Sequence, residues 1–573
     1  MDAHTLFVNG TIDTLDPELG TVTALAVIDG KVAAVGAAAM ELRGPDTNVV
    51  DLGDAYVLPG LHDVHNHHLI AGQMDLFELD ASPTLDLDGL LEAVAAHAAR
   101  LGPEEWVVGG SWGSGLMNQI NSTEALARLD EATGGRPAVL KDDSKHNRWA
   151  NSAALALAGI GDTVTDPEGG QYLRDADGHV TGVLIEAAGR DMEQLRERLH
   201  PTRDEDYAQA ARRGIEILHS YGVTAFQDAA ASLQLMKALK VLDDADELTA
   251  WVVTSMQAND FIFGTAPLGE GIIAEREGTR SPHHRPDFIK IFLDGVPPAG
   301  TGAFIEPYLA EAGFGGCHHG QTTMDPAELE GWLMGTAERG ISAKIHCTGD
   351  ASVRLVLDTV QKVREAGHTD VRYHVAHGQF VHPEDVPRFR ELGVVADISP
   401  ALWFPGVIAN AIKDVLGEER GSRLQPNRSL VDAGAIVAGG SDWPVSEIPN
   451  AFEAIYGLVT RKDPTCQFPG ALWPEQALTL EEALHVYTTA PAEAMGLAEV
   501  TGTLSPGKSA DLAVLSANLR EVDVEEIPSV QAVQTWFAGR KVFDRDIAQG
   551  CSALTASACA AEAGQNTCPP QMD

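Results

Sequence analysis

The chain has 573 residues, 44% of them hydrophobic, which is enough to bury a barrel-sized core together with a smaller domain. Its 83 acidic and 40 basic side chains give a formal net charge of −43, so its field repels nucleic acid and anionic membranes and excludes both as expected partners. No apolar run is long enough to cross a bilayer and no secretory pattern opens the chain, which favours a cytoplasmic location.

Short alternating strands at both ends of the chain predict a composite β-sandwich domain. The expected strands are Leu6 to Ile12, Ala24 to Ile28, Val32 to Val35, Val49 to Leu52, Asp511 to Leu515 and Val533 to Phe543. We therefore expect residues 1–58 and 496–548 to pair in one domain, and residues 59–495 to form a second. Residues 549–573 are rich in Ala, Ser and Gly without apolar periodicity, so a flexible tail is expected there.

The stretch Pro59 to His67 follows a Val-rich strand and contains the pattern His65-Asn66-His67. Residues two apart in a strand share a face, so the two imidazoles can bind one metal ion together. The pattern alone is weak evidence in a chain with 20 histidines. A metal site at this pattern therefore requires further candidate ligands elsewhere in the chain.

The span from about 71 to 203 is too long for a βα loop, and we expect it to be an insertion on the catalytic side of the second domain. It contains Trp112 and His146, which either contact a substrate or serve ordinary packing. Further along the chain, Trp403 is a third candidate for substrate contact. Phe304 and Trp443 are additional aromatic residues for such a pocket, and each of these aromatics could equally belong to the core.

Four more polar residues end or directly follow short apolar runs: Lys290, His346, His377 and Asp442. Strands of this kind alternate with helical patterns such as Asp206 to Tyr221 and Pro326 to Arg339, as βα units require. The pattern predicts a (β/α)8 TIM-like barrel, in which residues at the carboxyl ends of the strands converge on one face. Two alternatives stay open: Lys290 in a structural ion pair, and Asp442 as a residue that initiates a turn.

Further motifs accompany these residues. They are Val57 to Gly60, Gly182 to Glu186, Asp294-Gly295 after Lys290, Gly349-Asp350 after His346, and Gly502 to Leu512. With them the chain resembles the amidohydrolase superfamily, and within it the YtcJ-like branch that includes N-substituted formamide deformylases. The resemblance extends from Leu6 to about Phe543.

The resemblance implies a metal-dependent amidohydrolase with a divalent metal cofactor, zinc by expectation, as one ion or two. His65, His67 and Asp442 would hold one ion and His346 and His377 the other. Lys290 would react with carbon dioxide to give a carbamate whose two oxygens bridge the ions, although some relatives use a single metal without it. Asp442 would act as the proton shuttle from water to the departing nitrogen. His346 or His377 would stabilise the oxyanion of the tetrahedral intermediate.

Two departures from the family pattern narrow the expected reaction. Ala376 stands where relatives often have Glu, and Gly349 occupies the position at which the purine and pyrimidine deaminases use Glu as proton shuttle, so deamination is disfavoured. We expect hydrolysis of a C–N bond in a small N-substituted amide or formamide. The alternatives are hydrolysis of a cyclic amide, carbamate or ester, and a metal-binding sensor without catalysis. A homo-oligomer is compatible with the sequence.

Overall fold

The computed structural model describes residues 2–102, 105–260 and 263–547. Its central feature is a sheet of eight parallel strands that follow one another in chain order. These barrel strands, numbered first to eighth, are Leu61–Asn66, Val223–Ala231, Trp251–Gln257, His284–Phe292, Ser342–Cys347, Tyr373–His377, Val394–Ile398 and Val437–Gly439. The predicted barrel is therefore present in the fold.

Helices cover the outside of the barrel and pack their apolar faces on its strands. The main ones are Asp204–Ser220, Leu233–Asp244, Pro326–Ala337, Asp350–Glu365, Val386–Leu392, Val407–Leu416, Asn427–Asp432, Ala451–Thr460, Leu480–Val486 and Thr489–Ala494. Several begin at side-chain caps: the Ser232 hydroxyl accepts from the N–H of Leu235, and the Asp325 carboxylate accepts from those of Ala327 and Glu328. The shared core contains Ile291, Ile345 and Val375.

The barrel closes where the segment after the eighth strand meets the first strand. The N–H of Asp442 donates to the carbonyl of His65 at 2.7 Å, and the N–H of His67 donates to that of Trp443 at 2.8 Å. The Asp63 carboxylate adds bonds from the N–H and the hydroxyl of Ser441, at 3.0 and 2.6 Å. Closure itself therefore brings Asp442 beside the His65-x-His67 pair.

The two ends of the chain form one sheet. Its strands are Thr5–Asp13, Thr21–Ile28, Lys31–Val35, Asn48–Asp51, Tyr56–Pro59, Leu512–Leu515, Ala532–Phe537 and Arg540–Asp544. The chain ends meet where Tyr56–Pro59 pairs antiparallel with Leu512–Leu515. The sandwich packing of this sheet and the domain boundaries stay predictions, and the predicted tail of residues 549–573 lies outside the described residues.

Between the first and second barrel strands lies a separate five-stranded sheet. It consists of Val107–Trp112, Ala138–Asp142, Arg148–Ala150, Gly170–Arg174 and Val180–Glu186. The helices of this segment are His68–Phe77, Leu87–Ala98, Thr123–Ala132, Ser152–Ala158 and Ala187–Leu199. The sheet has its own buried core, which includes Val107, Leu140 and Trp149. We call this segment the insertion.

In the part of the chain that the structure describes, no helix is both long enough and apolar enough to pass through a membrane.

Candidate metal centre

The six predicted ligands all lie at the carboxyl ends of barrel strands and all are buried. His65 and His67 come from the end of the first strand, Lys290 from the fourth, His346 from the fifth and His377 from the sixth, while Asp442 follows the eighth. All of them except His65 line one cavity of about 720 Å³, which we call the main cavity. Residues separated by hundreds of positions thus converge as the barrel predicts.

His65, His67 and Asp442 form the tightest group. One Asp442 carboxylate oxygen lies 3.5 Å from Nε2 of His65 and 3.3 Å from Nε2 of His67. One potential ligand atom from each of the three residues lies within 4.8 Å of the other two. Two imidazoles and a carboxylate are a common donor set for a divalent transition metal ion.

Histidine ring nitrogens without hydrogen-bond partners support a metal ion at this group. Within the described residues, neither ring nitrogen of His65 has a hydrogen-bond partner, nor does Nδ1 of His67 or Nδ1 of His377. Buried polar atoms without partners are rare in folded proteins and are costly, so such atoms often mark a missing ion. Burial lowers the pKa of His65 to about 4, which keeps the ring in the neutral form that binds metal.

His346 and His377 lie directly beside this group. Their ring centroids are 4.6 Å apart, and the His377 ring is also 4.6 Å from that of His65. Nε2 of His346 lies 3.2 Å from the carbonyl oxygen of Gly295, and Nδ1 of His377 lies 3.8 Å from Asp442. Burial and neighbouring cations hold the pKa of both rings well below the ordinary value.

Two of the ligand residues have strained backbones. The φ angles of Asp442 and His377 are 54° and 69°, in the left-handed region that non-glycine residues seldom occupy. The side-chain amide of Gln425 donates to the His377 carbonyl at 2.7 Å, and Val445 N–H donates to the Asp442 carbonyl at 2.7 Å. Strain held in place by such contacts is concentrated at functional sites.

Lys290 is a buried cation without a carboxylate partner. Its Nζ lies 4.7 Å from the ring centroid of Phe292, and among the described residues no carboxylate oxygen lies within 4.0 Å of it. The structural ion pair left open by the sequence is therefore not formed. Burial, helped by the charge of Lys344, lowers the pKa of Lys290 to about 7.

Sequence reasoning missed a buried pair that supports His65. Lys344 donates to the Asp397 carboxylate and, at 2.8 Å, to the carbonyl of Val64. The second Asp397 oxygen lies 3.4 Å from Nδ1 of His65. Burial raises the pKa of Asp397, but Lys344 and His65 outweigh it and hold that pKa well below its usual range. The position of Lys344 inside the apolar run of the fifth strand is the feature of the sequence that could have indicated this pair.

The insertion contributes His146 to the main cavity. Its ring lies 5.8 Å from that of His346, and its Nδ1 lies 3.0 Å from a carboxylate oxygen of Glu186. The other Glu186 oxygen accepts from the Thr301 hydroxyl at 3.1 Å. Burial lowers the pKa of His146, but Glu186 outweighs it and raises that pKa above the ordinary value. The structure therefore places His146 in the wall of the main cavity, and its contact with a substrate stays a prediction.

The other aromatic residues considered for substrate contact lie in the cores of the barrel and the insertion. Trp112 is 1% exposed in the core of the insertion, and Trp403 is 0% exposed, with the Arg461 guanidinium 3.8 Å above its ring. Phe304 and Trp443 are also buried in the core, and none of the four lines the main cavity. Its aromatic lining comes from other residues, which are Phe263, Phe292, Phe314 and Phe468. The helix Val407–Leu416 adds an apolar wall through Val407, Ile408 and Ala411.

Comparison with known proteins gives concordant results. A model of the amidohydrolase family matches residues 48–543. The chain is 30% identical to the N-substituted formamide deformylase of Arthrobacter pascens, over 94% of this chain and 98% of that protein. It is 25% identical to the putative amidohydrolase YtcJ of Bacillus subtilis, with the same coverage. A metal-dependent hydrolase from Pyrococcus horikoshii shares the fold, with a TM-score of 0.70 and 21% identity over 91% of this chain and 99% of that one.

Proposed function

Since the chain belongs to the amidohydrolase family and is a hydrolase, we propose that it cleaves the C–N bond of a small N-substituted amide or formamide with the help of a divalent metal. The observation that carries the proposal is the buried group of His65, His67 and Asp442. One ligand atom from each lies within 4.8 Å of the other two, and both nitrogens of His65 and Nδ1 of His67 lack hydrogen-bond partners among the described residues. Zinc suits two imidazoles and a carboxylate.

His65, His67 and Asp442 would hold the first ion, while His346 and His377 would hold a second. Lys290 would contribute a carbamate ligand, because its buried amine lines the same cavity and no carboxylate contacts it among the described residues. A bound divalent ion lowers the pKa of a water ligand and polarises the scissile carbonyl. The chain must then hold the substrate and move one proton.

Asp442 moves that proton. Its carboxylate is buried and faces both His67 and the main cavity. Burial raises its pKa, but His67, His65 and Lys290 together hold it below the ordinary value, so the group enters the reaction ionised. It accepts the proton of the attacking water and returns it to the departing nitrogen, while His346 or His377 supports the negative oxygen of the tetrahedral intermediate.

The main cavity supports a small amide with an apolar substituent. Its floor is polar, whereas Phe263, Phe314 and the helix Val407–Leu416 supply apolar surface on its walls. A relative named N-substituted formamide deformylase gives this substrate class its precedent. His146, on the insertion side, is a substrate contact in this proposal.

A panel of linear formamides and amides, cyclic amides, carbamates and esters tests the reaction. We expect turnover of the linear compounds, and Asp442→Asn should abolish it while leaving the metal content largely intact. Turnover of cyclic compounds or esters alone would contradict the substrate class. Unchanged turnover in Asp442→Asn would refute its role as proton shuttle, and metal-loaded protein that hydrolyses nothing would favour a sensor.

A further inference from the structure

Lys145 is a buried cation that Asp142, Glu78 and Asp143 attract only from a distance, without an ion pair. It lies in the insertion loop 143–147, is 5% exposed, and lines the main cavity. Its Nζ donates to the neutral hydroxyl of Ser111. Among the described residues no carboxylate oxygen approaches it within 4.0 Å. Burying a charge without a counter-ion is expensive, so a partner from outside the chain is the physical expectation.

The loop holds Lys145 in a fixed position. The Asp143 carboxylate accepts from the N–H and the hydroxyl of Ser114 at 2.9 and 2.5 Å. The Asp142 carboxylate accepts from the backbone and side chain of Asn147 at 3.0 and 2.8 Å, and from the Ser144 hydroxyl at 2.6 Å. Both acids near Lys145 are thus directed to other donors.

The backbone of Lys145 is strained as well. Its φ angle of 63° lies in the left-handed region, which is unfavourable for a non-glycine residue. The guanidinium of Arg148 donates to its carbonyl at 2.8 Å and so keeps it there. The loop therefore maintains both an unfavourable conformation and a buried charge beside the candidate metal centre.

A second cavity of about 590 Å³ meets the main cavity at this point, and we call it the side cavity. Four residues line both: His67, Ile70, Lys145 and Phe263. Lys145 therefore lies at the junction, in the same cavity wall as a candidate metal ligand.

Several other charged side chains of the side cavity have a direct partner, and Arg196 shares Glu193 with Arg148, at 3.0 Å. Glu78 pairs with Lys141 at 2.6 Å, Glu193 with Arg148 at 2.7 Å, and Asp228 with His68 at 2.9 Å. Glu197 accepts from the N–H and the hydroxyl of Thr202, at 2.9 and 3.0 Å. Lys145, in contrast, has no carboxylate in direct contact among the described residues.

We propose that Lys145 binds a carboxylate of the substrate, so that the preferred amides carry an acidic group on the nitrogen substituent. This rests on the proposed amide hydrolysis and narrows its substrate class to N-acyl or N-formyl amino acids. The amide bond lies at the metal centre, the carboxylate lies against Lys145 and Ser111, and an apolar side chain lies on the wall formed by the helix Val407–Leu416. The ammonium of Lys145 gives a charge-assisted hydrogen bond in a buried site.

Matched acids and carboxamides test this site, because each pair differs in charge and little in volume. Suitable pairs are N-formylglycine, N-formyl-β-alanine, 4-formamidobutyrate and N-formylphenylalanine with their carboxamides. Both kcat/KM and the equilibrium Kd by calorimetry are measured on the full-length protein. We expect at least one acid to be preferred over its carboxamide by about tenfold or more in the unsubstituted protein.

Variants connect the preference to the side chain. Lys145→Met keeps the volume and should reduce the ratio of acid to carboxamide to near one, whereas Lys145→Arg should retain much of it. Lys237→Met is the matched control, since Lys237 is exposed on the helix Leu233–Asp244 and the same charge is lost. Its ratio should equal that of the unsubstituted protein.

The outcomes separate this site from the proposed reaction. Acids that bind through Lys145 without being hydrolysed would contradict the reaction and support the anion site. Hydrolysis with no preference for any acid, or an equal preference in Lys145→Met, would overturn the anion site alone. Failure of every acid to bind would also overturn it. If Lys145→Met does not fold, the absence of any acid preference in the unsubstituted protein still overturns the anion site, and Lys145→Arg still tests the side chain.

Discussion

Lys290 and Lys344 show how far single residues can be interpreted from the sequence. They are paired in register on the fourth and fifth barrel strands, and both interrupt apolar runs. The sequence indicates that each is unusual, but it does not indicate which one has a counter-ion. That depends on Asp397, which the seventh strand brings into contact with Lys344 and not with Lys290. Long-range contacts of this kind are invisible in local sequence, which is why Lys344 and Asp397 were missed.

Carbamate formation at Lys290 should depend on pH. The amine must be neutral to react with carbon dioxide, and burial lowers its pKa to about 7, so the neutral fraction is roughly tenfold larger at pH 8 than at pH 6. The pKa values of His65, His346 and His377 are all lowered, so these rings are already neutral across that range. We expect metal-free protein to take up zinc with bicarbonate better at pH 8 than at pH 6.

Metal analysis after reloading measures this uptake. Lys290→Met removes the amine at similar length and should abolish the dependence on bicarbonate at both pH values. Equal zinc uptake with and without bicarbonate in the unsubstituted protein would contradict a carbamate at this position.

His146 should depend on Glu186 for its orientation. Glu186→Gln removes the charged acceptor of the His146 ring and weakens the contact with Thr301, while no candidate metal ligand is changed. We expect kcat/KM to fall about tenfold or more with unchanged metal content, since charge-assisted hydrogen bonds are the stronger ones. In a double-mutant cycle with His146→Ala the two losses should not add. Additive losses would show that Glu186 acts independently of His146.

Barrel strands could be predicted where an apolar run in the sequence ends at a polar residue. The strands that end near His67, Lys290, His346 and His377 were found in this way, because buried parallel strands give near-continuous apolar runs. For Trp112 and Trp403 the sequence left both a substrate contact and core packing open, for a related reason. A large aromatic residue has the same appearance in sequence whether it fills a core, as Trp112 and Trp403 do, or lines a cavity, as Phe263 does.

The contact between the first and eighth barrel strands makes Gly440 sensitive to substitution. A Cβ at this position would lie 2.5 Å from the Cβ of His65 and 2.7 Å from its backbone nitrogen, closer than such atoms approach. Gly440→Ala should therefore separate the two strands, displace His65 from Asp442 and lower both metal content and melting temperature.

Gly331→Ala is the matched control for this element. Gly331 lies within the helix Pro326–Ala337, and an added Cβ there meets nothing within 4 Å. Alanine has the higher helix propensity, so stability should stay the same or rise by up to about 1 kcal/mol. Calorimetry and metal analysis of both variants check the pair. Full metal content in Gly440→Ala would show that strand separation does not control the site.

At the scale of the whole molecule, the chain ends share one sheet and the barrel closes through the candidate site. The pairing of the ends could be expected from their alternating strands, whereas the five-stranded sheet of the insertion could not. Those five strands are short, and Arg148–Ala150 has only three residues, too few to give a period. The insertion is nevertheless essential to the proposed chemistry, because it supplies both His146 and Lys145 to the cavities.

The candidate ligands come from several strands, so a bound ion should stabilise the closed barrel. An ion that binds only the folded state, at a concentration 100 times its Kd, adds about 2.7 kcal/mol to the free energy of unfolding. For a chain of this length this corresponds to roughly 2 °C in melting temperature.

The net charge of −43 complicates the measurement, because any cation screens self-repulsion and stabilises the fold as well. Chelation and zinc addition are therefore compared at constant ionic strength, with magnesium in place of zinc as a reference. We expect zinc to raise the melting temperature of the unsubstituted protein above the magnesium value and to have no such effect on His65→Gln. An equal zinc effect in both proteins would locate the stabilising ions on the acidic surface and not at the mouth of the barrel.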